Sequence, residues 1–257
     1  MTPFSLADRR AFVTGANSGI GQAIAQALAA MGAAVTCAGR TEATQTVAAI
    51  RDAGGQAESL YLDLSNPMAA QDLFAGQDYT ILVNNAGIIL REDSMDYPED
   101  MWDRVMDVNL KAVFFTSQAF ARALPQAPDA ASRGAIVHVA SVLSFQGGIR
   151  VPSYAAAKHG VAGLAKSMAN EWASQRINVN AIAPGYVHTK NTASLTQDPS
   201  RYEAILQRIP AGRWGEPDDI GWTAAFLCSP AAAYINGAVI NVDGGWLARK
   251  PPAITPG

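Results

Sequence analysis

The 257-residue sequence contains little charge, few cysteines and no long apolar run. Charged residues make up 16% of it, the net charge is −3, and like charges are not clustered, which argues against binding to nucleic acid or to a membrane surface. No apolar stretch approaches the roughly 18 residues of a membrane span, and the first residues lack the apolar core of a signal peptide. We therefore expect a cytoplasmic protein with no nucleic-acid partner and no membrane partner.

The two cysteines, Cys37 and Cys228, are far apart in the chain and have no companions at metal-ligand spacing. The sequence therefore predicts two buried, reduced thiols and no metal site, which fits a reducing compartment. Hydrophobic residues make up 49% of the chain, enough for a substantial core. This length suits one large α/β domain or two small ones.

Short apolar stretches that are typical of strands alternate with helical patterns along the whole chain. Strands are predicted at 10–14, 33–38, 57–62, 79–83, 135–140, 177–182 and about 238–242. Helices are predicted after residue 21, at about 42–53, 67–75 and 98–123, after residue 153, and at about 217–228. Connections are short, and glycine and proline fall between the elements. The pattern predicts the α/β class: a single-domain, Rossmann-type, doubly wound parallel sheet of about seven strands with helices on both faces.

We expect this single domain to occupy residues 1–250, because the chain shows no internal repeat, low-complexity tract or linker. The polar stretch 188–213 follows a strand and is long enough to form a lid over a site. Residues 125–133 are predicted to form an exposed loop, and the proline-rich residues 251–257 a flexible tail.

A glycine-rich turn separates the first strand from the first helix, with Gly15, Gly19 and Gly21 at the spacing Gly-x-x-x-Gly-x-Gly. Glycines at such a turn let the backbone approach a pyrophosphate, and the helix N-terminus directs free N–H groups at it. The alternative is a tight turn without a ligand. Where the second strand ends, about 20 residues later, a ribose-binding acid is missing, and Gly39 is followed by Arg40. Arg40 favours NADP, since a guanidinium pairs with a 2′-phosphate, although a solvated arginine at a strand end is the alternative.

Tyr154 and Lys158 are four residues apart in a predicted helix and therefore lie on one face of it. A neighbouring ammonium group is expected to lower the tyrosine pKa toward physiological pH, although most such pairs are ordinary helix surface. Asn109 falls in the middle of an apolar helix, where it either bridges a bend or holds a water molecule. His138 lies inside a strand and is expected to be a core histidine with satisfied hydrogen bonds.

Taken together, these motifs resemble those of the short-chain dehydrogenase/reductase family over essentially the whole chain. The resemblance rests on Thr14-Gly15-x-x-x-Gly19-Ile20-Gly21, Asn84-Asn85-Ala86-Gly87, Asn109, Ser141, Tyr154-x-x-x-Lys158 and Pro184-Gly185, in this order. It implies that Tyr154 is the acid/base and that Lys158, together with the positive nicotinamide ring, lowers its pKa. It also implies that Lys158 hydrogen-bonds the nicotinamide ribose, that Ser141 holds the substrate oxygen, and that Asn109 holds a water molecule in a proton relay.

The same resemblance implies a site for NAD or NADP. Its expected residues are Gly15, Asn17, Ser18, Gly19, Ile20, Gly21, Arg40, Asp63, Leu64, Asn85, Ala86, Gly87, Tyr154, Lys158, Pro184, Gly185, Val187 and Thr189. Among them, Asp63 and Leu64 would contact the adenine, and Val187 and Thr189 the carboxamide. Family members are commonly tetrameric, and the apolar stripe on 157–172 is compatible with a homotetramer or with a core position.

A narrower resemblance concerns the 2-deoxy-D-gluconate 3-dehydrogenase group, also described as 2-dehydro-3-deoxy-D-gluconate 5-dehydrogenase, which serves breakdown of pectin- and alginate-derived uronates. It rests on residues 91–93, 144–154, 168–173, 191–192, 208–215 and 243–249. This group is usually NAD-linked, which conflicts with the interpretation of Arg40, so the choice of cofactor stays open.

A small-molecule sugar acid presents a carboxylate, which an arginine can bind with two hydrogen bonds. The expected substrate residues are Arg91, Ser141, Gln146, Arg150, Tyr154, Tyr186 and Arg213. Arg150 is the preferred carboxylate anchor because it lies four residues before Tyr154, and structural ion pairs are the alternative for all three arginines. Two other functions stay open: a reductase for 3-oxoacyl thioesters or steroids on the same frame, and a nucleotide-binding regulator without turnover.

Overall fold

A seven-stranded parallel sheet organises the computed structural model, which describes residues 2–124 and 133–248. The strands are β1 (Arg10–Thr14), β2 (Ala34–Gly39), β3 (Gln56–Tyr61), β4 (Ile81–Asn84), β5 (Gly134–Val139), β6 (Ile177–Pro184) and β7 (Val239–Val242), in the order β3-β2-β1-β4-β5-β6-β7. The predicted doubly wound sheet is therefore confirmed. The chain crosses from one half of the sheet to the other between β3 and β4, which is the position where such sheets bind ligands.

Helices cover both faces of the sheet. They are α1 (Gly19–Ala30), α2 (Thr44–Asp52), α3 (Glu99–Met106), α4 (Ala112–Ala123), α5 (Pro152–Trp172), α6 (Ala193–Thr196), α7 (Pro199–Leu206) and α8 (Pro217–Cys228). Successive strand residues point to opposite faces, so Val13 packs into the core beside α1 and α8, and Phe12 into the core beside α4 and α5. Apolar side chains fill both layers, and because all neighbouring strands are parallel, their carboxyl ends lie along one edge.

Two predicted helices differ from the structure. The expected helix at 67–75 is wrong: this stretch is a series of turns with i to i+3 hydrogen bonds, and its main buried apolar anchors are Ala70 and Phe74. The expected helix at 98–123 is divided, because a π-helical turn at Asp107–Lys111 joins α3 to α4. The inserted turn rotates the side chains beyond it, and Asn109 lies within it.

Several other expectations concern individual segments and the two cysteines. Residues 125–132 of the predicted loop and the predicted tail 251–257 lie outside the described residues, whereas Arg133 is partly buried. Both cysteines are buried and unpaired, as predicted, and burial raises the pKa of each thiol to about 12. Across 2–124 and 133–248, no helix is long and apolar enough to cross a membrane.

Candidate active site

A cavity of about 340 Å³ opens at the carboxyl ends of the strands. Its lining includes all of the residues predicted from the sequence to bind the cofactor, together with Ser141. Lining residues outside the predicted cofactor set are Thr14, Ala38, Gly39, Thr41, Leu62, Ser65, Ile88, Ile89, Val108, Val139, Ala140, Lys190, Asn191 and Thr192. Most of these lie at the end of a predicted strand or shortly after a predicted strand or turn, so extending each motif by a few residues would have found them.

The glycine turn is held in a conformation that suits a phosphate group. Gly15 and Gly19 have φ angles of 66° and 58°, and a Cβ atom on Gly21 would lie 2.2 Å from the carbonyl oxygen of Gly15. Asn85 braces this turn by donating from Nδ2 to the carbonyl oxygens of Thr14 and Gly15, at 2.9 and 3.1 Å. Because these glycines carry no side chain, the backbone of α1 packs directly against the turn.

The N-terminus of α1 is free to bind an anion. Its N-cap residue, Ser18, makes no side-chain capping hydrogen bond, and the first turn carries no acidic residue. Helix N-termini carry unpaired N–H groups and partial positive charge, which together attract phosphate. The residues present therefore fit the pyrophosphate of a dinucleotide.

The other end of the cavity carries the features expected for a 2′-phosphate. A Cβ atom on Gly39 would meet nothing closer than 3.6 Å, so the end of β2 leaves space where an acid would otherwise stand. Arg40 is exposed at this rim. The pKa of the Asp63 carboxyl is lowered, mainly by the backbone N–H of Ser65 and in smaller part by the charge of Arg40. The rim therefore has room and positive charge for an anionic group.

Tyr154 and Lys158 enter the cavity from the first turns of α5. Lys158 is 4% exposed, its Nζ donates to the carbonyl oxygen of Val139 at 2.6 Å, and it lies 5.5 Å from the centre of the Tyr154 ring. Burial lowers the pKa of Lys158 to about 8. Burial also raises the pKa of Tyr154 to about 12, opposed by the adjacent Ser141 hydroxyl and by the charge of Arg91.

The expectation that the protein's own residues lower the Tyr154 pKa toward physiological pH is therefore wrong. Desolvation penalises the phenolate more than the neighbouring polar groups and charges stabilise it. The balance depends on packing around the ring, which helical spacing does not report. A further positive charge beside the phenol would be needed to reverse it.

Asn109 ties the π-helical turn to the loop after β4. Its Oδ1 accepts from the backbone N–H of Ile88 and its Nδ2 donates to the carbonyl oxygen of Ile88, both at 2.8 Å. The side chain is fully buried. These contacts are the polar bridge that the sequence left as one of two alternatives, and they fix the loop that lines the cavity.

Only one of the two ring nitrogens of His138 has a hydrogen-bond partner among the described residues, contrary to expectation. Its Nδ1 lies 3.2 Å from Nδ2 of Asn84, but its Nε2 is buried without a partner among the described residues. Burial, together with the charge of Lys158, lowers its pKa to about 3, so the imidazole stays neutral at physiological pH. It therefore does not act as an acid in this range.

The three arginines expected to bind substrate have different surroundings. The Arg150 guanidinium lies 3.3 Å from Glu92 and 3.1 Å from Asp93, and Arg213 forms two hydrogen bonds with Asp219, at 2.8 and 2.9 Å. These geometries match the structural ion-pair alternative. Arg91, in contrast, makes no hydrogen bond or ion pair within the described part of the chain, yet its charge acts on Tyr154. Among the described residues Arg91 thus keeps its donors free, and its charge acts on the phenol although it lines neither cavity.

The remaining expected substrate residues do not line the first cavity. Tyr186 and Arg213 line a second cavity of about 320 Å³, which shares Val187 with the first, and Gln146 lies in the loop before α5 and lines neither cavity. The stretch 188–213 contains α6, α7 and a short helical turn at Lys190–Thr192, and it packs on Trp214 and Trp246. Its closure over the cavity stays a prediction.

Comparisons with known proteins agree with this geometry. The family described as "Enoyl-(Acyl carrier protein) reductase" matches residues 15–247. The 2-dehydro-3-deoxy-D-gluconate 5-dehydrogenase of Bacillus subtilis (strain 168) is 50% identical over 251 residues, which cover 96% of this chain and 97% of the relative.

Two solved structures are also similar. One, from Agrobacterium tumefaciens, is described as a candidate 2-deoxy-D-gluconate 3-dehydrogenase with bound NADP; it is 59% identical with a TM-score of 0.93, covering 97% of this chain and 100% of that one. The other, from Beutenbergia cavernae, is described as a candidate NAD(P)-dependent gluconate 5-dehydrogenase with bound NADP. It is 47% identical with a TM-score of 0.91, covering 96% and 100%.

Proposed function

The chain belongs to the short-chain dehydrogenase/reductase family, and we propose that it oxidises a secondary alcohol of a deoxy sugar acid, or reduces the matching ketone, with NAD(P). The observation that carries the proposal is that Ser141, Tyr154 and Lys158 line the same cavity as the phosphate-binding turn. Relatives named 2-dehydro-3-deoxy-D-gluconate 5-dehydrogenase support the substrate class. A CH–OH group of 2-deoxy-D-gluconate or 2-dehydro-3-deoxy-D-gluconate is the proposed reacting centre.

Each catalytic residue has a proposed task that its position supports. In the oxidation, Tyr154 Oη takes the proton of the substrate hydroxyl, while the Ser141 hydroxyl donates a hydrogen bond to the same oxygen. Lys158, held by Val139, binds the cofactor ribose and stabilises the phenolate, and Asn109 fixes the cavity-lining loop at Ile88. The nicotinamide supplies the chemistry of hydride transfer when bound. In the reduction, Tyr154 returns the proton.

NADP is the proposed preferred cofactor, and Arg40 provides the test. We expect Arg40→Ala to raise the KM for NADP about tenfold, as lost charge-assisted hydrogen bonds to phosphate imply, and to leave the KM for NAD within about twofold. Steady-state kinetics with both cofactors measure this, and Arg51→Ala, which changes an exposed arginine of α2, is the control. Equal changes for NAD and NADP would remove Arg40 from the 2′-phosphate site.

Arg91 is the proposed anchor for the substrate carboxylate, in place of Arg150. Because its guanidinium is unpaired among the described residues, Arg91→Ala should raise the KM for 2-deoxy-D-gluconate by about 10- to 100-fold. The neutral alditol 2-deoxy-D-glucitol should show no such change. The measurement is kcat and KM for both compounds, and an unchanged KM for the acid would contradict this role.

A spectrophotometric scan tests the function as a whole. Oxidised and reduced NAD and NADP are assayed against a panel of sugar acids, 3-oxoacyl thioesters and steroid ketones. Turnover of a deoxy sugar acid is the expected result, thioester or steroid reduction would favour the second function, and cofactor binding without turnover would favour a regulator.

The proposal also covers the organisation of the protein. A single domain is supported by the one sheet that spans residues 10–242, and a cytoplasmic location by the two unpaired buried thiols. A homotetramer is supported by exposed Trp102, Phe145 and Ile149 near α5. Analytical ultracentrifugation measures the subunit number.

A further inference from the structure

The backbone on both sides of Arg91 is held by hydrogen bonds. The carbonyl oxygen of Leu90 accepts from the Tyr97 hydroxyl at 3.2 Å, and the N–H of Glu92 donates to the carbonyl oxygen of Arg150 at 3.1 Å. Arg91 itself is exposed. An exposed arginine therefore projects from a stretch of backbone that is fixed immediately before and immediately after it.

Two ion pairs strengthen this attachment. The Arg150 guanidinium contacts carboxylates of Glu92 and Asp93, at 3.3 and 3.1 Å, and the Asp93 N–H donates to Glu92 Oε1 at 2.8 Å. Both carboxylates follow Arg91 directly in the chain. By taking up these negative charges, Arg150 leaves the Arg91 guanidinium without an ion pair among the described residues.

The attachment also reaches the catalytic helix. The Tyr97 hydroxyl lies 2.6 Å from the Ser153 hydroxyl, and Ser153 is fully buried next to Tyr154. A single phenol group thus connects the carbonyl before Arg91 to the residue before the catalytic tyrosine. If the backbone at Leu90 moved relative to Ser153, one of the two hydrogen bonds of the Tyr97 hydroxyl would break.

Arg150 adopts an unusual backbone conformation, which indicates that its surroundings constrain it. Its φ of 62° lies in the left-handed region, which residues with a side chain seldom occupy. Such conformations persist where the surroundings over-determine them, and they concentrate near functional sites. Here the ion pairs and the accepted backbone hydrogen bond hold the residue.

We propose that Tyr97 and Arg150 form a clamp that sets the position of Arg91 relative to Tyr154, so that a substrate carboxylate is bound at a fixed distance from the reacting oxygen. Tyr97 and Arg150 are positioning residues, which act through Arg91 and do not touch the substrate. The inference rests on the proposed function, since it needs a carboxylate for Arg91 to bind.

Tyr97→Phe and Arg150→Gly test the clamp. The first removes only the bridging hydroxyl, and the second removes the ion pairs while glycine accepts the left-handed backbone, so both variants should fold. We expect each to raise the KM for 2-deoxy-D-gluconate about tenfold, with kcat and the KM for 2-deoxy-D-glucitol within about threefold. Tyr61→Phe, which removes a hydroxyl from the exposed side of β3, is the matched control.

The same substitutions in the Arg91→Ala background show whether the clamp acts through Arg91. There, Tyr97→Phe and Arg150→Gly should add no further increase in KM, because the group they position is gone. Additive increases, or equal changes for the acid and the alditol, would overturn the clamp. If Arg91→Ala alone leaves the KM for the acid unchanged, the proposed anchor fails; if it raises the KM and the clamp variants do not, only the clamp fails.

Discussion

Tyr154→Phe should lower kcat about 10³-fold and leave the affinity for NADP within about twofold. General acid–base catalysis contributes rate factors of this order, and phenylalanine keeps the ring while removing the only atom that exchanges the proton. The ring packs beside Lys158, whose Nζ is held by Val139 and not by the phenol hydroxyl. The cofactor site should therefore keep its shape.

Two measurements separate chemistry from binding in this variant. Steady-state turnover of 2-deoxy-D-gluconate reports kcat, and a fluorescence titration with NADPH reports the cofactor affinity. Tyr234→Phe, which alters a fully exposed phenol, should behave as the unmodified protein. Turnover near that of the unmodified protein in Tyr154→Phe would remove Tyr154 from the acid/base role.

Gly21→Ala should weaken cofactor binding at least about 100-fold and destabilise the fold by about 1–3 kcal/mol. The added methyl group would lie 2.2 Å from the Gly15 carbonyl oxygen and 2.4 Å from Asn85 Nδ2. The Gly15 oxygen belongs to the backbone of the turn, and Asn85 Nδ2 is hydrogen-bonded to that oxygen. Neither atom can therefore move away from the added methyl group without displacing the other. The start of α1 would move away from the turn, and the two would no longer present N–H groups to one pyrophosphate.

Isothermal titration with NADP and thermal unfolding measure the two effects of this variant. Gly147→Ala is the matched control, because a Cβ atom there meets nothing within 4 Å. An affinity for NADP close to that of the unmodified protein would show that the turn does not need close approach at Gly21.

The residues predicted to bind the cofactor come together in one cavity because each of them belongs to a local sequence signal. Gly15 to Gly21, Arg40 and Asn85 each follow a strand, and parallel strands place their carboxyl ends at one edge. The helix expected at 67–75 failed for the opposite reason, since an apolar pattern with few buried anchors does not select a helix over successive turns. The roles of Arg91, Arg150 and Arg213 stayed ambiguous in the sequence, because sequence distance from Tyr154 does not show which carboxylates lie near each guanidinium.

By itself, the sequence predicted the parallel α/β sheet, which the structure confirms, and it located the glycine turn and the four residues proposed for catalysis, because spacing and turn chemistry act over a few residues. Only the tertiary structure decided that burial raises the Tyr154 pKa, that Glu92 and Asp93 pair with Arg150, and that Arg91 keeps its donors free within the described part of the chain. Desolvation and ion pairing depend on atoms brought together from distant parts of the chain. Arg150 and Glu92, for example, are 58 residues apart.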